Sequence, residues 1–180
     1  MEKQRATIGC CGIDCGLCPR FYTEGRSRCP GCGGDDFAQK HPPCGIRTCC
    51  AVKHGKELCA LCDEFPCARF DDREAMERDS FVTHKRIFPN HAQVREEGFE
   101  AFLVAHNERV ALLQTMLADY DDGRSKSEFC FAAALLKTDS LKAAMDECAG
   151  ETDRKRKAEA LKTALRRLAD EQGVCLKPQR

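Results

Sequence analysis

Cys10-Cys11-Gly12-Ile13-Asp14-Cys15-Gly16-Leu17-Cys18-Pro19 decides how the rest of the chain is read, because it places four thiols in nine residues. From Cys11 the spacing continues C-x3-C-x2-C-x10-C-x2-C-x11-C-x4-C-x9-C-x2-C-x4-C, through Cys29, Cys32, Cys44, Cys49, Cys59, Cys62 and Cys67. Two residues between cysteines let one tight turn aim both thiolates at a single ion. Cys15/Cys18, Cys29/Cys32 and Cys59/Cys62 all have that spacing, and Cys29-Pro30-Gly31-Cys32-Gly33 looks like a zinc knuckle. Redox pairs of the thioredoxin kind need a βαβ pattern around them, and the sequence carries none. The expectation is coordination of metal by Cys11, Cys15, Cys18, Cys29, Cys32, Cys44, Cys49, Cys59, Cys62 and Cys67.

Working outward, 12 of the 15 cysteines, 9 of the 13 glycines and 5 of the 7 prolines fall in the first 67 residues. Apart from Met1 and the cysteines, that segment holds only 11 apolar side chains larger than alanine. So small an apolar inventory does not offset the chain entropy of folding without metal, disulfides or a partner. A structural zinc site contributes about 10–16 kcal/mol of apparent binding free energy, available to the folded state alone. The N-terminus has no apolar core of signal-peptide length, and no stretch approaches the length of a membrane span. Dense cysteine without an export signal points to metal in a reducing cytoplasm. Residues 1–67 are therefore expected to form a loop-rich metal module, and 68–180 an α-helical region packed against it. The fold class expected is mainly α.

Beyond residue 67 the chain turns to helix formers. Asp71 and Asp72 are candidate caps for a short helix through Arg73–Arg78, and Pro89-Asn90 is read as a break. Phe99, Phe102, Leu103, His106, Val110, Leu113, Leu117 and Tyr120 recur at steps of three and four, the stripe of an amphipathic helix. Asp121-Asp122-Gly123 closes it. Phe129–Leu136 is a nearly unbroken apolar run, read as a buried helix. Two more follow, one from Thr138-Asp139-Ser140 with Leu141, Ala144, Met145 and Cys148 on one face, and one from about Thr152 to Gly173.

The adjacent cysteines need separate treatment. In a helix, Cys49 and Cys50 project about 100° apart and do not serve one tetrahedral ion together. Cys11 and Cys49 match the wider spacing and are taken as ligands; Cys10 and Cys50 are left as packing residues or ligands of a further site. Each of His41 and His54 is read first as a solvated loop histidine. Thiolates suit zinc and iron–sulfur clusters alike. Cys11-x3-Cys15-x2-Cys18 matches the radical S-adenosylmethionine spacing, but that class needs a large α/β barrel that this sequence does not contain. A [4Fe–4S] cluster of anaerobic redox metabolism stands as the alternative cofactor, and two structural zinc ions as the expected one.

The quoted motifs, with Cys44-Gly45-Ile46-Arg47-Thr48-Cys49 and Cys59-Ala60-Leu61-Cys62-Asp63-Glu64-Phe65-Pro66-Cys67, resemble the domain of unknown function 3795 family, a bacterial and archaeal group. The likeness extends to His84-Lys85-Arg86 and Tyr120–Ser127. What the resemblance implies is a cysteine-rich, zinc-binding N-terminal part; it names no reaction. Cys10 and Cys50 look like additions to the pattern.

Outside the cluster, Arg124, Ser125, Lys126 and Ser127 at a helix start are a candidate anion site, while Ser125-x-x-Glu128 also reads as a capping box. Arg154-Lys155-Arg156-Lys157 makes the last helix basic, but acids flank it and aromatics do not interleave, so a solvated face is expected and nucleic acid is not. Lysine and arginine total 29 and aspartate and glutamate 29, which argues against recruitment by bulk charge. No nucleophile elbow, phosphate loop, dinucleotide fingerprint or zinc-protease helix is present, so no catalytic residues are assigned. The reading is a structural or partner-binding metal protein.

Overall fold

The computed structural model describes residues 3–179. It is 56% helical, and the described residues contain eight α-helices and no strand, so the protein is mainly α. Two compact units emerge: residues 3–104 with Gln179, and Ala105–Pro178. Composition changes at residue 67, whereas packing divides 37 residues later, inside a helix. The first unit therefore owns three helical segments besides the cysteine-rich loops.

In the first unit the cysteine-rich part has only short elements. Single turns at Cys15–Leu17 and Cys59–Leu61 each begin at the first cysteine of a C-x2-C pair. Helices α1 (Phe37–Lys40) and α2 (Gly45–Arg47) are one turn each, and α2 runs into a wider π-type turn over Thr48–Lys53. Helix α3 (Arg73–Glu77) starts where Asp72 Oδ1 accepts the Ala75 N–H at 3.0 Å. Pro89-Asn90 does not break the chain. Helix α4 spans Ile87–Glu97 with Pro89 in its first turn, where the N–H that proline lacks would have no helical acceptor. The break comes at Gly98, after which α5 runs Phe99–Asp119. Ile8, Leu58, Ala60, Val94, Phe102 and Leu103 form a hydrocarbon cluster in this unit.

The second unit is built by the C-terminal part of α5 with α6 (Lys126–Leu135), α7 (Thr138–Glu147) and α8 (Arg154–Glu171). Its core is hydrocarbon: Leu113, Met116, Phe129, Phe131, Leu136, Leu141, Leu161 and Leu165 are each at most 1% exposed. Helix α8 begins at a true cap, Asp153 Oδ1 accepting the Arg156 N–H at 2.9 Å. Arg109 donates to the Ala133 and Leu136 carbonyls at 2.8 and 2.7 Å, closing orphan acceptors at the end of α6. No helix among the described residues is long and apolar enough to cross a membrane.

Candidate metal centre

The loop Cys10–Cys15 is held by helix α4. Gly12 has φ +89°, and a Cβ there would lie 2.9 Å from both His91 Nε2 and the Ile87 carbonyl oxygen, so only glycine fits. Asp14 is fully buried; its Oδ2 accepts from Arg86 Nε at 3.0 Å and its Oδ1 from Asn90 Nδ2 at 3.1 Å. Asn90 Nδ2 also donates to the Gly12 carbonyl at 2.8 Å, and Arg86 Nη2 donates to Asn90 Oδ1 at 2.7 Å. His91 Nε2 stands 3.0 Å from the Cys11 carbonyl oxygen, which only accepts, so Nε2 carries the ring proton. Its Nδ1 is buried with no hydrogen-bond partner among the described residues, beside the rings of Phe65 and Phe70 at 4.3 and 5.5 Å. Burial, then the Cys11 carbonyl acting the other way and the Arg95 charge, bring His91 down to about 4. The ring stays neutral at pH 7.

The Cys29–Cys32 turn is similarly constrained. Gly31 has φ +76°, and a Cβ would fall 2.0 Å from the Ala6 carbonyl oxygen. Cys29 Sγ lies 3.1 Å from His41 Nε2, and the His41 ring is stacked on Phe37 at 4.5 Å and 9°. Arg47 covers the same Phe37 ring at 5.0 Å. Cys18 belongs to this corner: burial raises its thiol, and the charge of Cys29 raises it further.

The core under these loops is sulfur. Cys10, Cys32, Cys50 and Cys59 are buried together with Phe37, Ala51, Phe70 and Ile87, and Cys11, Cys15, Cys44 and Cys67 pack against them. Cys10 and Cys32 bring their Sγ atoms to 3.8 Å, and the Cys50 thiol donates to the Lys56 carbonyl at 3.3 Å. All 15 cysteines are free thiols. Burial pushes Cys11 up to about 12 and Cys15 well above the usual thiol range, with the charge of Cys32 adding to both. The Cys32 thiol acts most strongly on Cys10 and lowers it, but the Cys50 thiol and burial outweigh it and leave Cys10 at about 12. Likewise Cys10 lowers Cys50, while Cys59 and burial prevail and take it to about 12. Cys32 is raised by Cys10 first and by burial second.

These pressures have one physical meaning. Several thiols crowd a low-dielectric space in which they cannot all ionise, and a cation of charge two or more reverses that balance. The donor set fits zinc chemically, being soft sulfur with the His41 imidazole beside Cys29. Among the described residues, no three His, Cys, Asp or Glu side chains already converge as an ion's cage. The thiols lie in series, Cys32 next to Cys10 and on through Cys50 to Cys59, rather than around a point.

Of the ten cysteines expected as ligands, the sulfur core includes Cys11, Cys15, Cys32, Cys44, Cys59 and Cys67. Cys18 and Cys29 meet at the His41 corner, and Cys49 and Cys62 are half-buried outside the cluster. The structure adds Cys10 and Cys50, at 1% and 4% exposure, which the spacing had set aside. It also adds His41, read from sequence as a solvated loop residue. The anion candidates lie elsewhere. Asp121 Oδ1 accepts from the Gly123 and Ser125 N–H groups, and Asp122 Oδ1 from the Arg124 N–H and the Ser125 hydroxyl. The protein's own carboxylates hold the backbone N–H groups of Gly123, Arg124 and Ser125 and the Ser125 hydroxyl that an anion would use. The capping box is not formed: Ser125 makes no side-chain cap bond, and Glu128 pairs in two bonds with Arg166 at 2.7 and 2.9 Å. Lys126 and Ser127 open α6 itself.

Comparison of the chain with protein-family models, with curated proteins and with solved structures found no match.

Proposed function

We propose that this chain is a cytoplasmic metal-binding protein, with zinc held by cysteine thiolates as a structural element and the organised loops serving as a structural or partner-binding module. One observation carries the reading: the first unit places buried thiol sulfur where a domain of its size ordinarily places leucine and isoleucine. Buried cysteine by itself is a small hydrophobe. Four of them in one cluster, with four partly buried cysteines packed against it, are a donor set that a soft cation would crosslink. Bound zinc supplies that crosslink, joining segments far apart in sequence, and its binding free energy becomes folding free energy.

Within this reading Asp14, Arg86, Asn90 and His91 hold the Cys11–Cys15 loop, and Phe37 orients His41 toward Cys29. They fix donors before the ion arrives, as outer partners of metal ligands do. The raised thiols set the pH behaviour: each must lose a proton on coordination, so affinity increases with pH. The test is elemental analysis, with a visible spectrum, on protein isolated anaerobically without added metal. Stoichiometric zinc, about two ions per chain, and a colourless solution are expected. A brown solution containing iron and sulfide would replace zinc with a cluster. A metal-free protein with the first unit fully folded would end the reading altogether.

A further inference from the structure

Between Cys18 and Cys29 the first unit carries Arg20-Phe21-Tyr22-Thr23-Glu24-Gly25-Arg26-Ser27-Arg28, three arginines and three of the cluster's neighbours in ring or hydroxyl form against a single acid. We propose that this loop, together with Phe81, is a binding surface for single-stranded nucleic acid. The proposal rests on the partner-binding part of the reading above and stands on residues other than the thiols.

Unneutralised charge is the first support. Arg26 and Arg28 are exposed and Arg20 is half-buried, and none of the three forms an ion pair among the described residues. Asp36, which feels the Arg28 charge, is paired with Lys40 at 2.9 Å. Elsewhere arginines meet carboxylates: Arg73 with Glu77, Arg78 with Glu74, Arg86 with Asp14, Arg166 with Glu128 and Arg167 with Glu147. In a chain of zero formal net charge, cations left without acids on one loop create a local field that draws a polyanion.

The second support is how the guanidinium groups are held. Arg20 lies over the Phe81 ring, 4.9 Å from its centroid, and Arg28 over the Phe21 ring at 5.9 Å. The Cys29 N–H donates to the Arg20 carbonyl at 2.9 Å, so the two ends of the loop run side by side. A guanidinium resting on a ring has given up rotamer freedom before any ligand arrives. Its N–H groups lie in its own plane and stay available to phosphate oxygens, in the paired geometry that arginine offers and lysine does not.

The third support is Phe81 itself. It is 56% exposed, whereas every other phenylalanine and both tyrosines are buried or half-buried. An aromatic ring in water beside arginines is a stacking platform, and it tolerates any sequence because every base has a π-face. An acidic protein would satisfy the arginines and leave the ring without a use, and a duplex keeps its base faces stacked on one another. An unpaired strand uses both. The basic run Arg154-Lys155-Arg156-Lys157 lacks this combination, since Lys157 stands over Tyr120, whose ring is buried.

Fluorescence anisotropy of a short labelled oligouridylate, titrated with the intact, reduced chain at increasing salt, tests the proposal. Binding is expected, with log affinity falling against log salt at a slope of about −2, from three arginines at about −0.7 per phosphate contact. Arg20→Ala and Arg28→Ala should each make the slope shallower by about 0.7. Phe81→Leu keeps an apolar side chain at the surface but loses the ring, and should weaken binding about 5–150-fold. Lys155→Ala, in the basic run of α8, should leave binding unchanged. A Phe81→Leu variant that binds like the wild type, equal affinity for the same strand annealed to its complement, or loss of binding in Lys155→Ala overturns the proposal. Zinc content measured on the same samples separates it from the metal reading. A zinc-loaded chain with no affinity for the strand at low salt overturns this proposal alone, and a zinc-free, folded chain that binds through Phe81 overturns the metal reading alone.

Discussion

The two units solve the same problem with different materials. Residues 105–178 pack helices α6, α7 and α8 and the end of α5 over Phe129, Phe131, Leu136, Leu141, Leu161 and Leu165, a core whose cohesion is area removed from water. Residues 3–104 have a modest hydrocarbon cluster and, beside it, a core of thiols. Six arginines stand over phenylalanine rings in this unit, among them Arg95 over Phe65 at 5.6 Å and Arg73 over Phe88 at 4.1 Å. The contrast teaches where conditional stability resides. On the reading proposed above, the hydrocarbon core holds without metal, whereas the sulfur core depends on a cation to take its charge.

Substitutions in the two cores break this comparison most forcefully. Phe129→Ala removes a fully buried ring and should cost about 3–5 kcal/mol in urea denaturation, with zinc content unchanged. Asp14→Ala should cost a similar amount, about 3–5 kcal/mol, because Arg86 and Asn90 lose a buried acceptor. Unlike Phe129→Ala, it should also weaken zinc by about 10–100-fold in a chelator competition, through loss of loop positioning. Equal zinc affinities in the two variants would erase the distinction between the units.

Acid sharpens the comparison at somewhat smaller amplitude. His91 titrates at about 4 in the folded chain, below the ordinary value of about 6.5 in an unfolded one. A depressed histidine stabilises the native state in full above the unfolded value and loses that contribution as pH falls. The loss should therefore accumulate between about pH 6.5 and 4 and reach about 3 kcal/mol. Denaturation of the wild type and His91→Gln across that window should differ in slope; parallel curves would contradict the burial argument. At the weak end, Glu77→Ala removes an exposed pair with Arg73 at 3.0 Å and should shift stability by no more than about 0.5 kcal/mol.

Particular elements show what the sequence could and could not reveal. Helices α5, α6 and α8 were legible because apolar residues recur at helical spacing and the core is hydrocarbon, which periodicity detects. The start of α4 was not. Pro89-Asn90 reads as a break when taken locally, but the first turn of a helix tolerates proline, and Asn90 is held by Gly12 and Asp14, far away in the chain. The packing division after Val104 was hidden because it falls within continuous helix. Ser125 and Glu128 carry the letters of a capping box, yet Asp122 and Arg166 engage them instead. The cysteine motif disclosed which residue type forms the first core but not its internal arrangement. Spacing favours Cys11 and Cys49, while burial favours Cys10 and Cys50. Spacing gives no weight to His41, whose position depends on stacking against Phe37.

Hydrogen exchange on the intact, reduced chain, with and without a strong zinc chelator, tests the central claim most directly. Removal of metal should abolish amide protection around Cys10–Cys18, Cys29–Cys32 and Cys49–Cys62 while leaving protection in α6, α7 and α8 unchanged. Protection that survives chelation throughout the cysteine-rich loops would contradict the account, because hydrocarbon packing and main-chain hydrogen bonds would then suffice to order them.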